Sequence, residues 1–174
     1  VYYTIWSPSL SKGALFRVPT LGGEPQKIKD DLNGQISFAP DGGRFVFTRS
    51  IGDFEAQMII ANADGTNEEK LLEAKAPDLL DSVAWSPDGN RIVYEGFSVF
   101  GSRLFEMQLE DRSTRQITDK VWCCGMHHLT WTRDGSSLIF YGSDRQGPGQ
   151  IWQLEYPSGQ VKQLTNDPEG FGLS

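Results

Sequence analysis

The chain has 174 residues, 38% hydrophobic and 22% charged, a composition typical of a globular domain with a core. Its 23 acidic residues outnumber its 16 basic ones, and the Lys and Arg residues are scattered singly, which argues against direct binding of nucleic acid. No apolar run is long enough to cross a bilayer, so we predict no membrane insertion by this chain.

The first predicted elements are three strands. Residues 1–5 form a run of β-branched and aromatic side chains, and residues 14–18 form another apolar run. Residues 25–28, which follow a Gly-Gly turn, are more polar. We expect them to form an outer strand, where exposed charged side chains discourage aggregation through the edge.

A Pro-Asp-Gly turn then recurs at a fixed interval. It occurs at residues 39–42 and 86–89, and a variant occurs at 132–135. The turn aspartates Asp41, Asp88 and Asp134 are spaced by 47 and then 46 positions, which indicates a repeat architecture. Pro presets φ, Asp accepts local hydrogen bonds and Gly adopts the left-handed conformation, so we assign these aspartates a structural role.

Each repeat carries the pattern of four strands. The first strand alternates large and small residues, the second and third are apolar, and the fourth is polar. In the complete repeats we predict first strands at 35–38, 82–85 and 128–131, second strands at 44–48, 91–95 and 137–141, third strands at 57–61, 103–107 and 150–154, and fourth strands at 69–72, 114–118 and 161–165.

Four antiparallel strands per repeat predict an all-β fold, a β-propeller of four-stranded blades with about four blades in this chain. The alternative, a β-sandwich with coincidental turns, would not repeat with a fixed period. Three blades would be complete, and one would be split between the two termini. The split blade would either close a ring of four blades or belong to a slice of a larger propeller. We prefer the slice. We predict a single propeller domain or fragment, 1–174, with blades at about 1–30, 34–74, 81–119 and 127–167 and the next blade starting at 170–174.

One segment departs from the repeat. Residues 122–128 read Trp-Cys-Cys-Gly-Met-His-His and hold every Cys and His of the chain. Thiolate and imidazole suit zinc or copper, which makes Cys123, Cys124 and His127 weak metal candidates. Their spacing matches no zinc-finger pattern, and adjacent side chains of a strand point to opposite faces. We therefore interpret the segment as a loop that enters the inner strand at His128, and we predict no metal and no other cofactor.

The same segment is predicted to lie at the mouth of the central channel, because the residues that precede each inner strand meet there. His127, His128 and Trp122 would then join Asp81 and Gln35 from other blades. Aromatic and imidazole groups at a channel mouth suit a ligand or a peptide, so we predict these five residues as a binding site. No nucleophile elbow, phosphate loop or metalloprotease motif occurs, and we predict no catalytic residue.

Residues 83–94, with the sequence Val-Ala-Trp-Ser-Pro-Asp-Gly-Asn-Arg-Ile-Val-Tyr, resemble the TolB-like, WD40-like β-propeller repeats of bacteria. Residues 143–147 resemble the Ser-Asp-Arg-Asp-Gly hairpin of that family, with Gln146 in place of its second Asp. The resemblance to these TolB-like repeats covers essentially the whole chain. Residues 15–19, 22–25, 59–65, 156–159 and 164–167 resemble more closely the C-terminal sensor propellers of bacterial receptor-type serine/threonine kinases and winged-helix regulators. This closer resemblance implies a sensing module attached to a kinase or DNA-binding head that the chain lacks.

We therefore predict a non-catalytic ligand- or protein-binding propeller that acts as a sensor and interaction module of a larger bacterial protein. Two alternatives stay open: the substrate-gating propeller of a prolyl-oligopeptidase-like or tricorn-like protease, and a TolB-like periplasmic scaffold. The partner would be a protein, a peptide or a small molecule, and exposed blade faces would favour a homodimer. The resemblance favours a periplasmic or other extracytoplasmic location, and a cytoplasmic one also fits the sequence.

Overall fold

A computed structural model of the chain describes residues 1–7, 12–144 and 147–169. The regular elements of these ranges are fifteen β-strands in four antiparallel sheets, without a helix. The all-β prediction is therefore confirmed. Within the same ranges, no helix long and apolar enough to span a membrane is found.

The strands follow one another through the four sheets in chain order, so that each sheet is a meander of sequential neighbours. The first sheet has three described strands and each of the others has four. The strands are β1 (Tyr2–Ser7), β2 (Lys12–Arg17) and β3 (Gln26–Leu32); β4 (Ser37–Phe38), β5 (Arg44–Ser50), β6 (Glu55–Asn62) and β7 (Glu69–Lys75); β8 (Leu79–Trp85), β9 (Arg91–Ser98), β10 (Gly101–Gln108) and β11 (Thr114–Gln116); and β12 (Cys124–Trp131), β13 (Ser137–Ser143), β14 (Gln150–Glu155) and β15 (Val161–Gln163).

The sheets pack face to face as successive blades, with one hydrophobic cluster between each pair of neighbours. The period-2 alternation of each second strand produces this arrangement. In β5, Phe45 and Phe47 pack toward the first blade, whereas Val46 packs toward the third. In β9, Ile92 faces the second blade and Val93 the fourth. The second strands of the two central blades are therefore covered on both faces, and the predicted propeller is confirmed.

The Pro-Asp-Gly turns connect the first and second strands of their blades, as predicted. Gly42, Gly89 and Gly135 have φ values of 69°, 77° and 70°, in the left-handed region that favours glycine. The aspartate of each turn accepts a hydrogen bond from the backbone N–H two residues later, at 2.8 to 3.1 Å. The aspartates therefore hold the turns together, which confirms their structural role.

The first blade differs from the others in its surroundings. Its β3 packs on β5 of the second blade, but no described strand of the first blade contacts a described strand of the fourth. In β1, Ile5 and Trp6 are exposed, whereas the equivalent strands β5 and β9 are mostly buried. The predicted strand at 170–174, which would lie beside β1 in a closed ring, falls outside the described residues.

The secondary structure of residues 122–128, the segment that departs from the repeat, differs from our expectation. We interpreted it as a loop that ends at His128, but the inner strand of the fourth blade already begins at Cys124. Met126 and His127 pair with Gly142 and Tyr141 of β13. The ladder of hydrogen bonds to β13 therefore extends the strand through residues whose composition gave no strand signal.

Candidate functional site

A cavity of about 930 Å³ opens where the inner strands of three blades begin and meet β1 of the first blade. It lies along the central axis of the blades and receives residues from all four sheets. Its described lining consists of Tyr2, Tyr3, Thr4 and Trp6 from β1, Asn33, Gly34, Gln35, Ile36 and Phe38 from the second blade, Asp81 and Ser82 from the third, and His127 and His128 from the fourth. Four of the five predicted binding residues thus meet in one cavity.

Two β-bulges bring the polar residues to this cavity. In the third blade, Asp81 and Ser82 together lie opposite Glu95 of β9. In the fourth blade, the register shifts between His127 and Thr130, and His128 has a φ of 57°, in the left-handed region. A bulge places two residues opposite one and re-aims the side chains. Consecutive residues of one strand therefore both reach the cavity wall, which strict alternation would forbid.

Asp81 is the acidic residue of the described lining, and no described lysine or arginine lines the cavity. The hydroxyl of Thr48 donates a long hydrogen bond to its Oδ1, at 3.5 Å. Burial raises the pKa of Asp81 to about 6, because one distant hydroxyl compensates little of the lost hydration. This carboxylate is therefore held in a partly dry wall without a cationic partner among the described residues.

Glu95 lies behind the bulge and joins the third blade to the fourth. Its Oε1 accepts a hydrogen bond of 2.8 Å from the backbone N–H of Met126, and Ser82 Oγ donates to the carbonyl of the same Met126 at 2.5 Å. Burial, with a smaller contribution from the nearby Asp81 carboxylate, raises the pKa of Glu95 to about 7. Both hydrogen-bonding groups of the Met126 backbone are thus satisfied across the blade interface.

The two histidines form the wall contributed by the fourth blade. The ring of His127 stacks on Tyr141, with 6.2 Å between centroids and 25° between planes. Partial burial lowers the pKa of His127, and the neighbouring His128 lowers it further. His127 therefore favours the neutral form near pH 7, in which one ring nitrogen is a donor and the other an acceptor.

Gln35 spans the axis from the second blade to the fourth. Its Nε2 donates a hydrogen bond of 2.7 Å to the carbonyl of Leu129 in β12. Its Oε1 is buried and accepts no hydrogen bond within the described structure. A buried acceptor without a donor costs free energy, so this oxygen is a strained feature of the contact between the two blades.

Trp122, the fifth predicted binding residue, does not line the cavity. Its side chain is fully buried in the core between the third and fourth blades, in edge-to-face contact with Phe140 and Trp152. The backbone of Trp122 bonds to Ser102 of β10 in both directions, which turns the indole inward. The prediction for Trp122 is therefore corrected: this residue packs the core and is unavailable to a ligand.

The metal candidates are not assembled into a site. Cys123 is exposed, and its Sγ lies 3.6 Å from the carbonyl oxygen of Asp144, away from the cavity lining that includes His127. Across the described residues, no group of three or more His, Cys, Asp and Glu side chains is placed to hold a metal ion. Of Cys124 the structure describes only the backbone, which begins β12.

Sequence reasoning missed the contribution of the first blade. Tyr2, Tyr3 and Trp6 of β1 and Phe38 of β4 give the cavity an aromatic wall. Trp6 and Asp81 also line an adjoining cavity of about 220 Å³, which is bordered by Asp53, Glu55 and Phe97 among others. The aromatic run at the start of the sequence was a usable signal for this wall.

Comparison with known proteins identifies the architecture. No family model matches the chain. It is 28% identical over 124 residues to the Tol-Pal system protein TolB of Ruthia magnifica, which covers 70% of this chain and 28% of that protein. The crystal structure of TolB from Acinetobacter baumannii superposes with a TM-score of 0.76 and 21% identity, covering 97% of this chain and 42% of that one. The chain thus spans less than half the length of either TolB protein.

A peptidase shows similarity over a comparable range. Dipeptidyl-peptidase 5 of Aspergillus fumigatus is 24% identical over 166 residues, which covers 89% of this chain and 22% of the peptidase. Fold likeness at this level does not transfer an activity, since propellers of one architecture serve many functions. What the comparisons establish is a TolB-like β-propeller fold.

Proposed function

We propose that this TolB-like propeller is a non-catalytic binding module that takes a protein, a peptide or a small ligand at the mouth of its channel. The observation that carries this proposal is the cavity of about 930 Å³ on the blade axis, to which all four blades contribute. Concave sites with mostly apolar walls and a few convergent polar groups are the usual form of ligand sites. His127, His128, Asp81 and Gln35 supply those polar groups, and Trp6, Tyr2 and Phe38 supply apolar wall.

The surroundings of the cavity support binding of a polypeptide in particular. Trp6, Ile51, Phe54, Val99 and Phe100 are large exposed hydrophobic residues. All lie in or beside connections between second and third strands, at the end of the blades where the cavity opens. Exposed apolar side chains around a cavity are typical of a protein interaction surface. In the parent protein this segment would act as a scaffold or a sensor, and the TolB relatives favour an extracytoplasmic location.

A second candidate function is the propeller of a peptidase, which would control access to a separate catalytic domain. The similarity to dipeptidyl-peptidase 5 over 89% of the chain supports this alternative. The two functions make different demands on the cavity. A gating propeller admits substrates without holding them, whereas a binding module retains its ligand with measurable affinity.

A selection of phage-displayed dodecapeptides on the purified chain tests the proposal. Peptides should be enriched whose affinity falls at least tenfold in the double variant His127→Ala/His128→Ala and in Trp6→Ala. Truncation removes cavity wall in both cases, while neither Trp6 nor the histidines are fully buried. Affinities are measured by biolayer interferometry, and circular dichroism verifies that each variant keeps its β-sheet spectrum.

Leu21→Ala is the matched control. Leu21 is fully exposed in the β2–β3 hairpin, at the end of the first blade opposite to Trp6, so its truncation should leave every selected peptide bound. Peptides that bind equally well to all variants, or a selection that enriches none, would overturn binding at the mouth. The latter result would favour the gating alternative.

A further inference from the structure

The described lining of the channel mouth contains acidic side chains but no lysine or arginine. Asp81 lines both adjoining cavities, and Asp53 and Glu55 border the smaller one, whereas the described lining of neither cavity includes a lysine or an arginine. Glu55 is paired with Lys75, at 2.8 Å, but no ion pair is formed by Asp81 within the described structure. Asp81 therefore places a carboxylate without a described cationic partner in the lining of a concave site.

The wall next to this acid is aromatic. Trp6 and Asp81 both line both cavities, so indole and carboxylate lie on a shared wall. Trp6 is 49% exposed, which leaves its ring accessible. Tyr2 and Phe38 continue the aromatic surface, with their ring centroids 4.7 Å apart. Aromatic faces attract cations through the ring quadrupole, most strongly when the site is partly desolvated.

We propose that the mouth binds a protonated amine, whose ammonium group pairs with the Asp81 carboxylate while its carbon chain lies against Trp6. This inference rests on the proposed function and specifies the chemistry of its ligand. An ammonium group carries three hydrogen-bond donors and no acceptor. The Asp81 carboxylate, which lines the cavity, accepts one or two of them.

The protonation states of the wall favour this ligand near neutral pH. Burial raises the pKa of Asp81 to about 6, because the carboxylate loses hydration and gains no cationic partner among the described residues. A bound cation would replace the lost hydration with a favourable charge interaction. The pKa of His127 is lowered, so this histidine adds little positive charge at pH 7. The titratable groups that surround Asp81 are His127 and His128 from β12, Glu95 from β9, Tyr2 and Tyr3 from β1, Asp53 from the turn before β6 and Glu55 at the start of β6.

The proposal is tested by titrating the whole chain at pH 7.5 with n-butylammonium and with the neutral analogue n-pentanol. Ligand-observed NMR monitors the binding of both probes. We expect butylammonium to bind at least tenfold more tightly than pentanol. Asp81→Asn should abolish that preference, because it removes the charge while keeping the shape. Asp41→Asn is the control: it removes one charge from an exposed turn, where asparagine can still accept the local hydrogen bond.

A second measurement needs no variant. Lowering the pH from 7.5 to 5 should weaken the binding of butylammonium at least fivefold and leave pentanol binding unchanged, because Asp81, whose pKa is raised to about 6, becomes protonated and loses its charge. Blocked peptides that contain lysine or acetyl-lysine, and a triglycine amide with a free N-terminus, distinguish a lysine side chain from a chain terminus as the source of the amine.

The outcomes separate this inference from the proposed function. Equal affinity for butylammonium and pentanol, or a preference that persists in Asp81→Asn, overturns the amine inference. If library peptides nevertheless lose affinity in Trp6→Ala, the mouth still binds ligands, and only their charge was wrongly assigned. If neither probe nor peptide binds at the mouth, the proposed function fails as well.

Discussion

Carboxylates at two places between blades have pKa values that are shifted in opposite directions. Glu68, in the connection between β6 and β7, receives two hydrogen bonds from the Arg49 guanidinium, at 2.8 and 2.9 Å, and pairs with Lys29 of the first blade. Hydrogen bonds from Arg49 hold the pKa of Glu68 down at about 2. Asp81 and Glu95, by contrast, have pKa values raised to about 6 and about 7 by burial.

The difference separates a structural role from a functional one. The Glu68 cluster connects the first blade to the second, and each charge in it has a partner. Asp81 is a carboxylate that no described lysine or arginine compensates, and it lines an open cavity. Since an unpaired buried carboxylate destabilises the folded state, its presence at a cavity points to a ligand.

The largest effect that sharpens this comparison concerns pH. The folded-state pKa of Glu95 lies above its unfolded value, so Glu95 contributes stability below about pH 4.5 that is lost as the pH rises through about 7. Relative to Glu95→Gln, the wild type should lose up to about 3 kcal/mol of unfolding free energy between pH 4.5 and pH 8. Urea denaturation of both proteins across this range measures the difference. A difference that is independent of pH would contradict the assignment.

The second effect concerns the hydrogen bond rather than the charge. In Glu95→Ala, the buried N–H of Met126 loses its acceptor, whereas Glu95→Gln retains an oxygen at the same place. We expect Glu95→Ala to be less stable than Glu95→Gln by about 2 kcal/mol, the cost of leaving a buried donor unsatisfied. Urea denaturation curves of the two variants at the same pH measure this difference, and neither variant has an ionisable group at position 95. Equal midpoints would show that the contact does not join the blades.

The smallest expected change in stability concerns Glu68, which is paired with Arg49 and Lys29. Glu68→Gln should cost about 1 kcal/mol at pH 7, because the cluster is partly exposed and solvent screens it. The sign of the pH dependence is opposite to that of Glu95: a lowered pKa contributes stability above about pH 4.5 that is lost as the pH falls toward 2. Denaturation at pH 7 and pH 3 tests this. Glu110→Gln, at an exposed position in the turn between β10 and β11, is the control and should show the same midpoint as the wild type.

Local patterns predicted most of the architecture. The Pro-Asp-Gly turns depend on residues two or three positions apart, and the three turn glycines have the expected left-handed backbone. The polar outer strands and the buried second strands also follow from periodicity, since a strand covered on both faces selects continuous apolar residues. The recurrence of these patterns at a fixed interval was sufficient to predict a propeller.

The candidate site was predicted in part. Asp81, Gln35, His127 and His128 line the cavity because the start of every inner strand faces the axis, which the repeat pattern implies. The prediction that Trp122 lines the site was wrong, because the position of this residue depends on a backbone pairing with Ser102 that no local pattern encodes. Trp6 was missed, because its side chain reaches the cavity only through the placement of the first blade beside the others.

The sequence by itself thus determined the turns, the strand order and the faces that become core, all of which depend on residues close together in the chain. Only the tertiary structure decided the chemistry of the mouth. The bulges at Asp81 and His128 override strict alternation, and four blades distant in sequence enclose one cavity. The physical reason is that hydration, and with it the pKa of Asp81 and Glu95, is set by what surrounds a group in space rather than by its neighbours along the chain.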